Sequence, residues 1–215
     1  MDRQVAGVAA DTVMTDNKAS VLSGLQFLAA RGHRRIAYFM EDQPYALSSV
    51  QERRDGYREF MAGAGQPQAA PERWVRRVPP TPSDSVYFAL VEDELAQLLD
   101  GPAAVTAVLC QQDQLMASVL EACVHLGIAV PEQLEVMSFS DVDPALLPLA
   151  RSAHRLVQRA SEMGSIAARR LQLRLASPDL PPQVVRLQAD LMPASYRRAR
   201  ALPDRTRSLG PASAP

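Results

Sequence analysis

Two polar clusters in this 215-residue chain directly follow apolar runs. Gln111-Gln112-Asp113 comes after residues 105–110, and Ser140-Asp141 closes the run 134–139. Amide, hydroxyl and carboxylate groups at such positions suit hydrogen bonding to a polar small molecule. Three more candidates lie nearer the N-terminus: Asp16, Ser49 and Arg53. Each has a plain structural reading beside the chemical one. Asp16 precedes a helical pattern and could serve as its N-cap. Ser49-Val50-Gln51-Glu52 fits a capping box, in which serine and glutamate satisfy each other's free backbone N–H groups. Arg53 offers a planar fork for bidentate contact with hydroxyl or carboxylate oxygens, or is a surface arginine one turn into a helix. Covalent chemistry is poorly provided for. His33, His125 and His154 are dispersed and none neighbours a Cys, Ser or Asp in a nucleophile arrangement. There is no glycine-rich phosphate loop, and Cys110 and Cys123 lack metal-ligand spacing, so no catalytic residue, metal or cofactor is assigned.

The elements that must position these residues follow from periodicity. Residues 105–110 are short and apolar enough for a buried strand. After the polar break, Leu115, Met116, Val119, Leu120, Cys123 and Leu126 recur at helical spacing up to a stop at Gly127. Residues 134–139 form the next strand. Strand, helix and strand in so short a stretch describe a βαβ unit with parallel strands, and ligands bind beyond the carboxyl ends of such strands. Gln112-Asp113 and Ser140-Asp141 should therefore share one rim. Helices are expected at 17–31, from Ser49 to about 63, at 84–99 and at 160–176. Strands are expected at 35–40, 74–78 and 183–191. The fold class is α/β.

Composition is that of a globular protein, 47% hydrophobic and 22% charged, and the net charge of -1 gives no general attraction to nucleic acid or anionic membrane. Lys18 is the one lysine among 23 basic residues. The arginines around 151–174 lack interleaved aromatics and read as solvated helix surface. No apolar segment is long enough for a bilayer and no signal peptide is visible, which leads us to expect a cytoplasmic protein with two buried, reduced thiols. The Arg-, Pro- and Ser-rich residues 197–215 read as a disordered tail.

Four stretches, in order, resemble the effector-binding half of LacI/GalR (lactose-repressor/galactose-repressor) transcriptional regulators. They are Asp16-Asn17 with LAARGHRRIAYF, then SSVQERRDGYREFMAGAG, then CQQDQLMASVLEACVHLGIAVPEQLEVMSFSD, then HRLVQRASEMGSIAARRL. The resemblance implies a periplasmic-binding-protein-like type I fold: two α/β subdomains with a small molecule in the cleft between them. It divides the chain into a near-complete C-terminal subdomain, 34–142 with 181–196, and a remnant of the N-terminal one, 1–33 with 143–180. The family's helix-turn-helix segment and much of its first subdomain have no counterpart in these residues. The chain therefore reads as N-terminally truncated, with the apolar faces of helices 17–31 and 160–176 lacking their usual partner.

By the same resemblance, Asp16, Ser49, Arg53, Gln112, Asp113, Ser140 and Asp141 form the effector-binding set. The departures from the family pattern concern ligand chemistry. Gln112 replaces an asparagine, and Ser140 replaces an aspartate that accepts hydrogen bonds. Ser138 replaces a glycine, and Pro79 and Pro80 stand where an aromatic ring often stacks on the effector. The function implied is small-molecule sensing by a LacI/GalR-type regulator, not catalysis. The effector is a sugar, sugar acid or nucleoside-like compound, the assembly a homodimer, and operator DNA is reached only through the absent N-terminal segment. The alternatives are a periplasmic-type solute-binding protein and a decayed fragment that dimerises without ligand.

Overall fold

The computed structural model describes residues 7–42, 47–63, 71–142 and 148–195. The tail expected from residue 197 lies outside them. Five α-helices and eight strands follow one another along the described chain. They are β1 (Thr12–Thr15), α1 (Asn17–Ala30), β2 (Ile36–Glu41), α2 (Ser48–Gly63), β3 (Val75–Val78), α3 (Asp84–Leu99), β4 (Ala107–Cys110), α4 (Asp113–His125), β5 (Glu135–Phe139), β6 (Ala153–Val157), α5 (Ala160–Ala176), β7 (Val184–Leu187) and β8 (Asp190–Met192).

Six strands form one sheet in the order β3-β2-β4-β5-β6-β8, all parallel except the β8 edge. Every residue of β4 and β5 is buried, as a parallel sheet covered on both faces requires. Tyr38, Leu109 and Met137 stand in register across β2, β4 and β5, so they share a face. Tyr57 of α2 stacks on Tyr38, and Gly24 of α1 sits against Met137, so α1 and α2 cover that face together. Helices α3 and α4 pack on each other and on β3, β4 and β5, which leaves them the opposite face. The βαβ unit expected at residues 105–141 is present, with Gly127 ending α4 in a positive-φ turn (φ 69°).

Four findings differ from the sequence reading. Helix α1 does not lack a partner: Val21, Leu25 and Leu28 are fully buried, and Gly24 allows contact with Met137 and Leu156 of the six-stranded sheet. The expected division set 1–33 and 143–180 apart, yet α1 packs on this sheet and β6 is its fifth strand. Strand β6 was not expected because Ala153-His154-Arg155 breaks the apolar run; only the neighbouring strands bury it. The expected strand 183–191 is two strands in different sheets, β7 beside β1 and β8 beside β6.

The second layer consists of β1 and β7, a parallel pair, with α5 beside β1. Asp11 pins it together, bonding to Arg170 (2.6 Å), Arg174 (2.8 Å) and the Gln183 amide (2.9 Å). Those hydrogen bonds from Arg170 and Arg174 hold the Asp11 carboxyl far below the usual carboxylate range. Among the residues of α5 only Met163 is buried; Leu171, Leu173 and Leu175 are exposed. A groove of about 450 Å³, lined by Ala9, Val13, Ala167, Leu171 and Pro182, opens between α5 and β1. For this helix the uncovered apolar face is as expected.

Candidate functional site

The carboxyl ends of the parallel strands form one rim, where Glu41, Gln111, Ser140 and Gln158 follow β2, β4, β5 and β6 or end them. Helices α2 and α4 start at the same rim, so their N-terminal N–H groups and positive dipole ends add to its polarity. The C-terminal end of β1 joins it from the other layer, because Thr15, Asp16 and Asn17 lead straight into α1.

Arg53 is the centre of this rim. It lies one turn into α2 and is only 9% exposed, so it is not a surface arginine. Its Nε donates to Asn17 Oδ1 (2.8 Å) and its Nη1 to the Gln111 carbonyl (2.8 Å). The guanidinium also covers the Phe139 ring, 3.8 Å from its centroid, a cation–π contact. One side chain thus joins the start of α1, the end of β4 and the end of β5.

From Asn17 the polar contacts run into the second layer. Its Nδ2 donates to the Thr15 carbonyl (3.0 Å) and lies 3.4 Å from Glu52 Oε2, which in turn pairs with Arg186 of β7. Thr15 Oγ1 accepts from Gln158 Nε2 (2.6 Å) and donates towards the Met163 sulfur (3.7 Å). The Gln158 amide donates to Asp141 Oδ1 (2.9 Å). On the far side, Gln111 Oε1 accepts from the Glu41 amide (3.1 Å), and Tyr87 donates to the Glu41 carboxylate (2.8 Å). Burial, with the Glu41 hydrogen bond, pushes the Tyr87 hydroxyl well above its ordinary range, so it stays a donor.

The other candidates are placed as follows. Asp16 caps α1, its Oδ1 accepting from the Ala19 amide at 3.0 Å. Ser49 is buried but lies within α2, which begins at Ser48, and Glu52 is turned to Arg186; the expected capping box is not formed. Gln112, not Asp113, holds the N-cap position of α4, and it makes no side-chain capping bond. Asp113 falls in the first turn, where its charge suits the dipole. Its Oδ1 is buried and has no hydrogen-bond partner among the described residues. Ser140 is 2% exposed and its Oγ is likewise unpartnered among them. Asp141 is exposed and holds the Gln158 amide. Pro79 and Pro80 follow β3, and Ser138 turns its hydroxyl to the Phe139 carbonyl.

The sequence reading missed Asn17, Gln111, Phe139, Thr15, Glu52 and Gln158 as site residues. Asn17 had a signal, standing next to Asp16 ahead of the helix. Gln111 was visible only as part of the polar break after residues 105–110, and Phe139 had no signal, because their roles depend on Arg53 reaching across two strand ends. Cys110 and Cys123 are buried and free, burial pushing the Cys110 thiol far up and the Cys123 thiol up to about 11. Among the described residues no group of three or more His, Cys, Asp or Glu could hold a metal ion.

A model of the periplasmic binding protein-like domain matches residues 25–194. The chain belongs to that family. It is 28% identical to the HTH-type transcriptional regulator GalS of Salmonella typhimurium over 151 residues, 70% of this chain and 40% of that protein. It is 26% identical to the HTH-type transcriptional repressor CytR of Escherichia coli over 158 residues, 69% of this chain and 42% of that one. The chain thus spans under half the length of these curated relatives. Among solved structures, the transcriptional regulator CelR in complex with cellobiose aligns with a TM-score of 0.69 at 26% identity, covering 87% of this chain and 55% of that one. CcpA of Lactococcus lactis aligns with a TM-score of 0.70 at 20% identity, covering 89% and 66%. The LacI/GalR resemblance and the periplasmic-binding-protein-like α/β fold are both borne out. The relatives are transcriptional regulators, not enzymes. No described helix is long and apolar enough to cross a membrane.

Proposed function

We propose that this domain senses a hydroxyl-bearing small molecule for a LacI/GalR-type transcriptional regulator, as a cytoplasmic homodimer. The observation that carries the reading is a pair of buried oxygens at neighbouring strand ends, Asp113 Oδ1 and Ser140 Oγ, with no hydrogen-bond partner among the described residues. A buried acceptor left unpaired costs about 1–3 kcal/mol. A ligand hydroxyl or amine at this rim would supply the missing donors. Gln112, at the N-cap of α4 with no side-chain capping bond, adds an amide for orientation, while Asp16, Ser49 and Asp141 frame the rim. Arg53 either turns part of its fork to the ligand or holds the wall behind it.

A sugar, sugar acid or nucleoside-like effector has donors of this kind. The rim joins a six-stranded sheet to the β1–β7 layer, so an effector there can favour one arrangement of the two. A preference of a few kcal/mol is enough for a switch. The reading assigns effector sensing, not operator contact, to residues 7–195.

A thermal-shift panel of sugars, sugar acids, polyols and nucleosides tests it, since a ligand that binds only the folded state raises stability by mass action. At least one compound should raise the melting temperature, and Ser140→Ala should weaken that shift without lowering the melting temperature of the ligand-free protein. Stabilisation by no compound, or a shift that survives both Ser140→Ala and Asp113→Asn, would overturn it.

A further inference from the structure

At the opposite end of the sheet, the amino ends of β5 and β6 enclose a second polar cluster. The Glu135 carboxylate is 6% exposed and receives Arg31 Nε at 2.9 Å. His33 Nε2 approaches it at 3.1 Å and His154 Nε2 at 3.4 Å. The second nitrogen of His154 faces the other way. Its Nδ1 accepts the Ala194 backbone N–H at 3.0 Å, just beyond β8, and the ring is 1% exposed. The edge of Phe27 or of the imidazole closes a third side, the two rings standing 4.9 Å apart at 70°.

These contacts fix the tautomer. An N–H donor at Ala194 requires a lone pair on Nδ1, so the ring proton sits on Nε2, facing the Glu135 carboxylate. An added proton can enter only at Nδ1. There it meets the Ala194 N–H, donor against donor, and the two must separate. We propose that His154 is a proton-operated latch, which holds residues 193–195 against the six-stranded sheet only while its Nδ1 is unprotonated.

What it latches is a short edge strand. Strand β8 has three residues and pairs only with β6, the next chain position after Ala194 being tied by Ser195 N to the Arg151 carbonyl (3.0 Å). Strand β8 also follows directly from β7, so this edge is where the chain returns from the second layer to the six-stranded sheet. Release would loosen that strap without touching the rim.

Among the described residues, the charged groups facing the imidazole are Glu135 from β5, Arg31 from the end of α1 and His33 from the turn after it. Burial pushes the His154 ring below its ordinary value of 6.5, and Arg31 and His33 push the same way against the pull of Glu135. The latch is therefore closed at neutral pH and opens in mild acid. His33 differs: its Nδ1 faces the Thr106 hydroxyl at 2.9 Å, which can turn its oxygen to accept, so protonating it breaks no backbone contact.

Amide exchange of the full chain, followed by NMR between about pH 7.5 and about pH 5 and corrected for intrinsic rates, tests this. The Ala194 amide should lose protection by about tenfold per pH unit once below the His154 titration, while Leu109 in β4 keeps its own. His154→Asn keeps an acceptor near Nδ1 and cannot titrate, so its Ala194 protection should be flat with pH; His33→Gln should leave the wild-type dependence in place. Imidazole nitrogen shifts of the unmodified protein give a check that needs no variant: Nδ1 bare and Nε2 protonated at neutral pH. Ala194 protection that does not change with pH, a dependence that disappears in His33→Gln, or a protonated Nδ1 at neutral pH would each overturn the proposal.

Discussion

The guanidinium of Arg53 covers the ring of Phe139 at 3.8 Å from its centroid, so the cation at the rim rests on an aromatic floor laid by β5. Phe139→Leu removes that floor while keeping an apolar side chain. The expected loss is about 0.5–2 kcal/mol from the cation–π contact, read by urea denaturation. Arg53→Ala goes further, because Asn17 Oδ1 and the Gln111 carbonyl both lose a donor. It should cost roughly 2–4 kcal/mol and abolish any effector-induced thermal shift. A variant as stable as the parent would show that Arg53 contributes nothing to the rim.

Two glycines are expected to resist replacement by alanine. A Cβ at Gly24 would meet Met137 Sδ at 2.7 Å and Leu156 Cδ1 at 3.1 Å; one at Gly56 would meet the Lys18 carbonyl at 3.1 Å and Val21 Cβ at 3.2 Å. Alanine normally favours a helix over glycine by about 1 kcal/mol, but overpacking costs about 1–3 kcal/mol. At Gly24 the obstacle is partly a flexible methionine, whereas at Gly56 it is backbone. Gly56→Ala should therefore be the more destabilising of the two by melting temperature, and the reverse order would contradict the close crossing of α1 and α2.

Much of this was legible in the sequence for a simple reason. Helices α1, α3 and α4 and strands β2, β4 and β5 are each written locally, in an apolar period with a cap or a stop. The parts that were not legible depend on distant partners. Strand β6 carries His154 and Arg155 through a buried sheet because the first meets Glu135 and accepts from the Ala194 amide, and the second donates to the Val142 carbonyl. The split of residues 184–192 between two sheets leaves no periodic mark, since both halves alternate. At the rim, Arg53 and the Gln112-Asp113 and Ser140-Asp141 clusters were visible, but Glu52 was read as a capping partner when it serves Arg186.

Acid should destabilise the domain in two steps. For Glu135, burial pushes the carboxyl up, but the Arg31 hydrogen bond and the charges of His33, Arg31 and His154 outweigh it and hold it below its ordinary value of 4.5. A depressed carboxyl stabilises the fold above its unfolded value and ceases to as pH falls through its folded value. His154, also depressed, is protonated first in the unfolded chain, so stability begins to fall as pH drops below 6.5. Denaturant titrations across this range should show stability declining from 6.5 downward and again below 4.5. Glu135→Gln should lower neutral-pH stability by roughly 1–3 kcal/mol and shrink the second step, to which the depressed carboxyls of Asp11 and Glu72 also contribute; an unchanged acid limb would dissociate Glu135 from it.

The exposed leucines of α5 should bind a hydrophobic dye. Leu171, Leu173 and Leu175 are 60%, 50% and 74% exposed, and Leu171 lines the groove against β1. Large exposed apolar patches promote association and dye binding. Leu171→Glu with Leu175→Ser should lower anilinonaphthalene sulfonate fluorescence several-fold without reducing the melting temperature, because neither side chain is buried. A marked loss of stability would mean these leucines are covered in solution.

The β1–β7 pair also sets an order of events in folding. Asp11 and the Gln183 amide meet across 172 positions of sequence, whereas β4 and β5 are joined through a single helix. Loop closure favours the short connections first. The six-stranded sheet can therefore assemble progressively as the chain emerges from the ribosome. Strand β1, the first of the described strands, must wait for β7, which follows β2 to β6 in the chain. Until β7 is made, β1 lacks the partner that it has among the described strands, while its neighbours in sequence are already finding theirs.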